Sequence, residues 1–185
     1  HDDVAAKAQI LRNHGASISE EQRHRGAQPY LLPDFDELGY NYRMTDIQAA
    51  VGIRQLEKLD SIVERRREIA QFYLNELKGI DCIRLPFESE NDYTNWQSFS
   101  IYIKPSCSIS RNDLMQKMLD LGISTRRGIM TSHRETAYKN RGVDVSLPVS
   151  EDAADRSIVL PLYVPMSQEE MDYVVKHFKA CLNQD

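Results

Sequence analysis

The segment opening at Thr45-Asp46-Ile47-Gln48 constrains this chain more than any other. A threonine followed three residues later by a glutamine forms a capping box: the hydroxyl accepts from the backbone amide of Gln48, and the glutamine side chain returns the bond to Thr45. Apolar side chains then recur at Ile47, Val51, Leu56, Leu59, Val63, Ala70, Tyr73 and Leu77, close to the helical period, and Gly79 supplies a stop. A helix over residues 45–79 would run roughly 45 Å at a rise of about 1.5 Å per residue, more than one small domain needs. The steps are irregular and a kink or break within the run is the alternative, but a helix that bridges two domains explains the length better. Its Glu64-Arg65-Arg66-Arg67-Glu68 cluster reads as a solvated face, because the flanking acids argue against a nucleic-acid patch.

On the N-terminal side, Val4 to Leu11 follows a helical rhythm that ends at Gly15, a residue suited to positive φ. Residues 16–42 are irregular and punctuated by Gly26, Pro29, Pro33 and Gly39. A loop of that length inside a compact domain is uncommon unless it functions or lies against another surface. Its apolar Tyr30-Leu31-Leu32 predicts such a partner surface. On the C-terminal side, Ser98 to Lys104 alternates around Phe99, Ile101 and Ile103, the pattern of a half-buried strand. Ser110 starts a helix to about Leu121, closed by Gly122, and Ile123 to Arg126 predicts a second strand. Ser150 is expected to cap another helix, Val159-Leu160 to begin a strand, and Ser167-Gln168-Glu169-Glu170 to cap the last helix. Strands interleaved with helices predict a small α/β domain over residues 80–185.

Composition excludes several function classes. The 185 residues, 41% hydrophobic and 28% charged, can build a core and predict one domain, or one plus part of another. A formal charge of −5 gives no electrostatic reason to bind nucleic acid or an anionic membrane. No apolar run approaches the roughly 18 residues that span a bilayer. The acidic start His1-Asp2-Asp3 is no secretory signal, and a first residue other than methionine points to a fragment or a processed product. Three scattered cysteines form neither a zinc site nor a disulfide framework and fit a reducing, cytoplasmic setting. The five histidines show no ligand spacing, so no metal is expected, and no nucleophile elbow, P-loop or dinucleotide fingerprint occurs. His14, between Asn13 and Gly15, reads as a capping or solvent histidine. Arg126-Arg127-Gly128 and Thr131-Ser132-His133-Arg134 gather donors suited to a phosphate or carboxylate, or are ordinary surface basic residues. Trp96 reads as core. Composition and periodicity stop at an α/β protein with a long, partner-seeking loop.

Particular strings go further. Leu11-Arg12-Asn13-His14-Gly15, then Leu38-Gly39-Tyr40-Asn41-Tyr42-Arg43-Met44-Thr45-Asp46-Ile47-Gln48-Ala49-Ala50, resemble segments of DegT/StrS-type sugar aminotransferases. Gln55-Leu56-Glu57-Lys58-Leu59, Arg65-Arg66-Arg67, Trp96-Gln97-Ser98-Phe99, Gly122-Ile123-Ser124-Thr125-Arg126, Leu147-Pro148-Val149-Ser150-Glu151, Leu160-Pro161-Leu162-Tyr163 and Met166-Ser167 follow in order. The resemblance covers nearly the whole chain, and the Gly39–Gln48 block is its most specific part.

The resemblance implies an aspartate-aminotransferase-like (fold-type I) pyridoxal-phosphate enzyme: α/β, with residues 1–44 the end of the large cofactor domain and its interface loop, 45–79 the connecting helix, and 80–185 the small C-terminal domain. It implies a homodimer or dimer of dimers with active sites at the subunit interface. The cofactor lysine is expected upstream of Leu11-Arg12-Asn13-His14-Gly15, before the first residue of this chain. No catalytic residue is then expected within the chain, which alone would be inactive. Asn41 is expected to reach across the dimer to the phosphate of pyridoxal 5'-phosphate, with a turn asparagine the alternative. Tyr40, Tyr42 and Arg43 are expected at the pyrophosphate of a nucleotide-sugar, with packing of the tyrosines the alternative, and His133 near the sugar. The implied reaction moves an amino group from glutamate or glutamine to a nucleotide-linked keto-sugar. A dehydratase of the same family, using the pyridoxamine form, and a non-catalytic dimerisation or regulatory module are the alternatives.

Overall fold

The computed structural model describes residues 1–17, 34–142 and 144–183, which fall into two compact units, His1–Glu57 and Lys58–Asp185. The first carries helix α1 (Asp2–Arg12) and helix α2 (Asp46–Leu56), and the segments flanking α1 and α2 pair at the bridges Asn13↔Asn41 and Ala16↔Phe35. The capping box is formed: Thr45 accepts from the Gln48 amide and Gln48 from that of Thr45.

In the second unit, α3 (Leu59–Leu77), α4 (Arg111–Asp120) and α7 (Gln168–Leu182) accompany an antiparallel sheet in the order β1-β2-β4-β3, formed by Ile83–Arg84, Phe99–Ile103, Ser157–Leu160 and Arg126–Arg127. Strand β2 alternates as expected, with Phe99, Ile101 and Ile103 buried, and the register sets Phe99 opposite Leu160 and Ile101 opposite Ile158. Helix α7 packs on both α3 and α4, and the core gathers Ile69, Tyr73 and Leu77, Leu114 and Met118, and Val174 and Phe178 around that apolar sheet face. Each such side chain taken fully from water contributes about 1.5–3 kcal/mol before the entropy of ordering it. Tyr102, on the other face by alternation, donates its hydroxyl hydrogen to Asp152 Oδ2 at 2.6 Å, so α6 (Pro148–Arg156) covers that face. Between β3 and α6 come a 3-10 turn (Ser132–Arg134) and a short helix, α5 (Thr136–Lys139).

Several expectations need correction. The strand expected to begin at Val159-Leu160 runs Ser157–Leu160 and ends there. Glu64–Glu68 is not a solvated face throughout, since Arg65 and Arg67 are half-buried and donate to the Met166 carbonyl and to Glu88. Residues 45–79 take the broken alternative and not the continuous helix preferred for them: α2 ends at Leu56, Lys58 turns at φ −99° and ψ −3°, and α3 begins at Leu59, with the boundary between the two units at this break. The apolar positions of α2 are correspondingly open in this chain, Ile47 at 80% and Leu56 at 68% exposure. The second strand is Arg126–Arg127 rather than Ile123–Arg126, because pairing with β4 reaches only Val159 and Ile158. Ser150 lies inside α6 instead of capping it. Pro148 starts that helix, and Glu151 reaches back to accept from the Leu147 amide at 2.7 Å. Tyr30-Leu31-Leu32 lies outside the described residues.

Candidate functional site

Two consecutive residues with positive φ, His14 (61°) and Gly15 (79°), end the run of α1 and turn the chain back beside residues 35–42. The two segments are tied by main-chain bonds: Tyr40 donates to the Leu11 carbonyl at 2.7 Å, His14 to that of Tyr40 at 2.9 Å, and Tyr42 to that of Arg12 at 2.9 Å. No Cβ is tolerated where they meet, because one on Gly39 would lie 2.0 Å from the Gly15 nitrogen. Lys7 and Glu37 add an ion pair across the same junction.

This clamp fixes four of the candidate residues together. Arg43 donates Nε–H to Asn41 Oδ1 at 3.3 Å. A guanidinium has no acceptor, so the amide oxygen must face it and the Nδ2 hydrogens point elsewhere. Among the described residues, none accepts a hydrogen bond from that Nδ2. Arg43 also donates Nη2–H toward His14 Nε2 at 3.5 Å. The rings of Tyr40 and Tyr42 stack with centroids 5.0 Å apart and planes within 4°, and are 57% and 70% exposed. An outward amide donor beside a cation is suited to a phosphate oxygen: it supplies directed hydrogen bonds, and the guanidinium supplies the charge. The donor set thus fits a phosphate-bearing cofactor. Among the described residues, no group of three or more His, Cys, Asp or Glu side chains is placed to hold a metal.

His133 belongs to the second unit. Its Nε2 lies 2.9 Å from Glu151 Oε1, and its side chain is 9% exposed. Glu151 is held below the usual carboxylate range, chiefly by the Leu147 amide and next by His133. A carboxylate only accepts, so Nε2 donates to it, and in the tautomer protonated at Nε2 alone Nδ1 is left as an acceptor. His133 lines a cavity of about 810 Å³ with Met130, Thr131, Tyr138 and Ser150. Arg134 is turned away from it into a two-pronged pair with Asp155 at 2.9 and 3.0 Å.

Two residues of these groups make contacts with little local signature. His14 is the exposed helix-end residue expected, and it also touches Arg43, a contact between residues far apart in sequence. Glu151, noted only within Leu147-Pro148-Val149-Ser150-Glu151, proves to be the partner of His133; one helical turn between an amide without a side-chain cap and a carboxylate was the signal available.

The chain matches, over residues 1–179, the model of the DegT/DnrJ/EryC1/StrS aminotransferase family. Solved structures carry the same fold. The putative sugar aminotransferase Spr1654 from Streptococcus pneumoniae, in its PMP form, superposes with a TM-score of 0.83 at 26% identity, over 97% of this chain and 45% of that one. The aminotransferase TlmJ from Streptoalloteichus hindustanus gives 0.81 at 24% identity, over 98% and 45%. Helicobacter pylori PseC, an aminotransferase involved in the biosynthesis of pseudoaminic acid, gives 0.84 at 17% identity, over 98% and 47%. The fold is therefore the fold-type I architecture that the resemblance implied, here with an antiparallel sheet, and the chain spans less than half the length of each of these structures.

Proposed function

Because the chain belongs to the DegT/DnrJ/EryC1/StrS aminotransferase family, we propose that it is the C-terminal portion of a pyridoxal-phosphate-dependent enzyme that moves an amino group from glutamate or glutamine to a nucleotide-linked keto-sugar. The observation that carries this reading is the family match across residues 1–179. The PMP and PLP forms of Spr1654, each 26% identical to this chain, support the cofactor. The lysine that anchors it is assigned to sequence preceding His1, and the working enzyme is a cytoplasmic homodimer or dimer of dimers.

Pyridoxal phosphate, when bound, supplies the electron sink for amino transfer. The chain's own residues then bind and orient. Asn41 donates Nδ2–H to the phosphate of the cofactor held by the partner subunit. Arg43 holds the amide in that orientation and adds positive charge where phosphates gather. The stacked Tyr40 and Tyr42 rings offer a flat, half-open surface to the nucleotide end of the substrate. His133, fixed through Nε2 by Glu151, presents Nδ1 as an acceptor for a sugar hydroxyl.

Asn41→Ala in the full-length protein tests this. One hydrogen bond to a charged group is worth roughly 1.5–3 kcal/mol, so affinity for pyridoxal phosphate should fall about tenfold to a hundredfold while the apo melting temperature changes little. The reverse pattern, lost apo stability with unchanged cofactor affinity, would return Asn41 to a turn role. Mixed dimers locate the contact. When an Asn41→Ala subunit is paired with one lacking the cofactor lysine, the remaining lysine site receives Asn41 from its partner and should bind normally.

A further inference from the structure

His14 stands in the left-handed region, at φ 61°, where a residue with a Cβ carries backbone strain. Glycine would occupy that conformation freely and stands there at the very next position, Gly15. The left-handed turn sets the His14 side chain beside the loop that carries Asn41 and Arg43. The imidazole Nε2 faces Arg43 Nη2 at 3.5 Å, and the same guanidinium donates Nε–H to Asn41 Oδ1 at 3.3 Å. A guanidinium only donates, so this contact is a hydrogen bond in the tautomer whose Nε2 offers a lone pair. The His14 amide, donating to the Tyr40 carbonyl at 2.9 Å, ties the same residue to the main chain of the loop.

We propose that His14 is a positioning residue for the cofactor phosphate: its Nε2 orients the Arg43 guanidinium, which in turn holds the Asn41 oxygen and aims the amide hydrogens outward. This rests on the reading of Asn41 as a phosphate donor. Both ends of the relay are main-chain anchored, His14 through Tyr40 and Asn41 through its bridge to Asn13, so a tilt of the guanidinium passes to the carboxamide without being absorbed by the backbone.

The strain separates this role from a structural one. His14→Gly in the full-length protein removes the imidazole and relieves the φ 61° backbone together, so the apo form should melt no lower than the wild type. Affinity for pyridoxal phosphate, titrated by the change in cofactor absorbance, should nevertheless fall about three- to tenfold, as for one weakened hydrogen bond. His14→Gln sets an amide oxygen near the place of Nε2 and should recover most of that loss. Combined with Asn41→Ala, His14→Gly should add nothing further, since the relay ends at the missing amide. Unchanged affinity in His14→Gly overturns the proposal, and so does a loss that glutamine leaves unrepaired or one accompanied by an equal loss of apo stability. If Asn41→Ala weakens binding and His14→Gly does not, the relay alone fails. If Asn41→Ala leaves binding untouched, the phosphate reading fails with it.

Discussion

Gly15 and Gly39 lie backbone against backbone: a Cβ on Gly39 would sit 2.0 Å from the Gly15 nitrogen, and one on Gly15 would sit 1.9 Å from the Glu37 carbonyl oxygen. Neither obstacle is a side chain that can swing aside. Gly39→Ala must therefore part the two strands of the clamp, and Gly15→Ala adds the strain of φ +79°. Each should cost about 1–3 kcal/mol or more. Both should also weaken pyridoxal-phosphate binding, because Asn41 rides on the displaced segment. Apo melting curves and cofactor titration of the two variants check this.

The Arg67 guanidinium grips Glu88 with both prongs at 2.8 Å, donates to the Thr94 carbonyl at 2.6 Å, and lies 4.3 Å from the Tyr93 ring centre. The Thr94 amide donates to the same carboxylate. Together, with Arg67 the largest influence, they pull the Glu88 carboxyl down to about 2. A carboxyl depressed on folding contributes stability above its unfolded value, near 4.5, that is lost as the pH falls toward 2. Melting temperature should thus drop across that window, and Glu88→Gln should flatten the slope there while lowering the neutral-pH value. An unchanged slope in the variant would remove Glu88 from the acid response.

Tyr73 is fully buried, and its hydroxyl donates to the Pro161 carbonyl at 2.8 Å. Burial raises its pKa far above that of a free tyrosine, so the phenol stays neutral at ordinary alkaline pH. Tyr73→Phe keeps the ring that packs on Phe99 and strands the carbonyl. The expected loss is about 1–3 kcal/mol in denaturant unfolding, distinct from the larger cost of Tyr73→Ala.

Glu151 divides its carboxylate between the Leu147 amide and His133. Glu151→Ala frees the imidazole to rotate. If His133 meets the sugar, KM for the nucleotide-sugar should rise about tenfold, the scale of one lost hydrogen bond, with pyridoxal-phosphate affinity unchanged. Equal loss of both would mark Glu151 as a support for the whole subunit.

Local chemistry was legible where partners sit within one turn. The Thr45/Gln48 and Ser167/Glu170 boxes, the Ser110 cap and the alternation of Phe99, Ile101 and Ile103 all formed as read. The length of the 45–79 run allowed for a break, but its place after Leu56 was not legible, because Leu56, Glu57, Lys58 and Leu59 carry no glycine, proline or capping side chain. Glu57 even keeps its bond to the Ile53 carbonyl at 3.1 Å, so the chain leaves the helix by only a slight change in dihedrals. At the site, Asn41 stood out by its string, whereas the contact of His14 with Arg43 depends on the return of the chain after Gly15, a long-range event with no local signature.

Neither α1 nor α2 buries a side chain in this chain taken by itself, whereas α7 buries six, from Met171 to Leu182. Protection against hydrogen exchange should follow that division. Amides of β2 and α7 will wait for global opening, and those of α2 will exchange through far cheaper local fraying. A protease will accordingly find its first cuts ahead of Lys58, so the long-lived digestion product of this polypeptide should begin close to the Leu56-Glu57-Lys58 turn and retain the sheet.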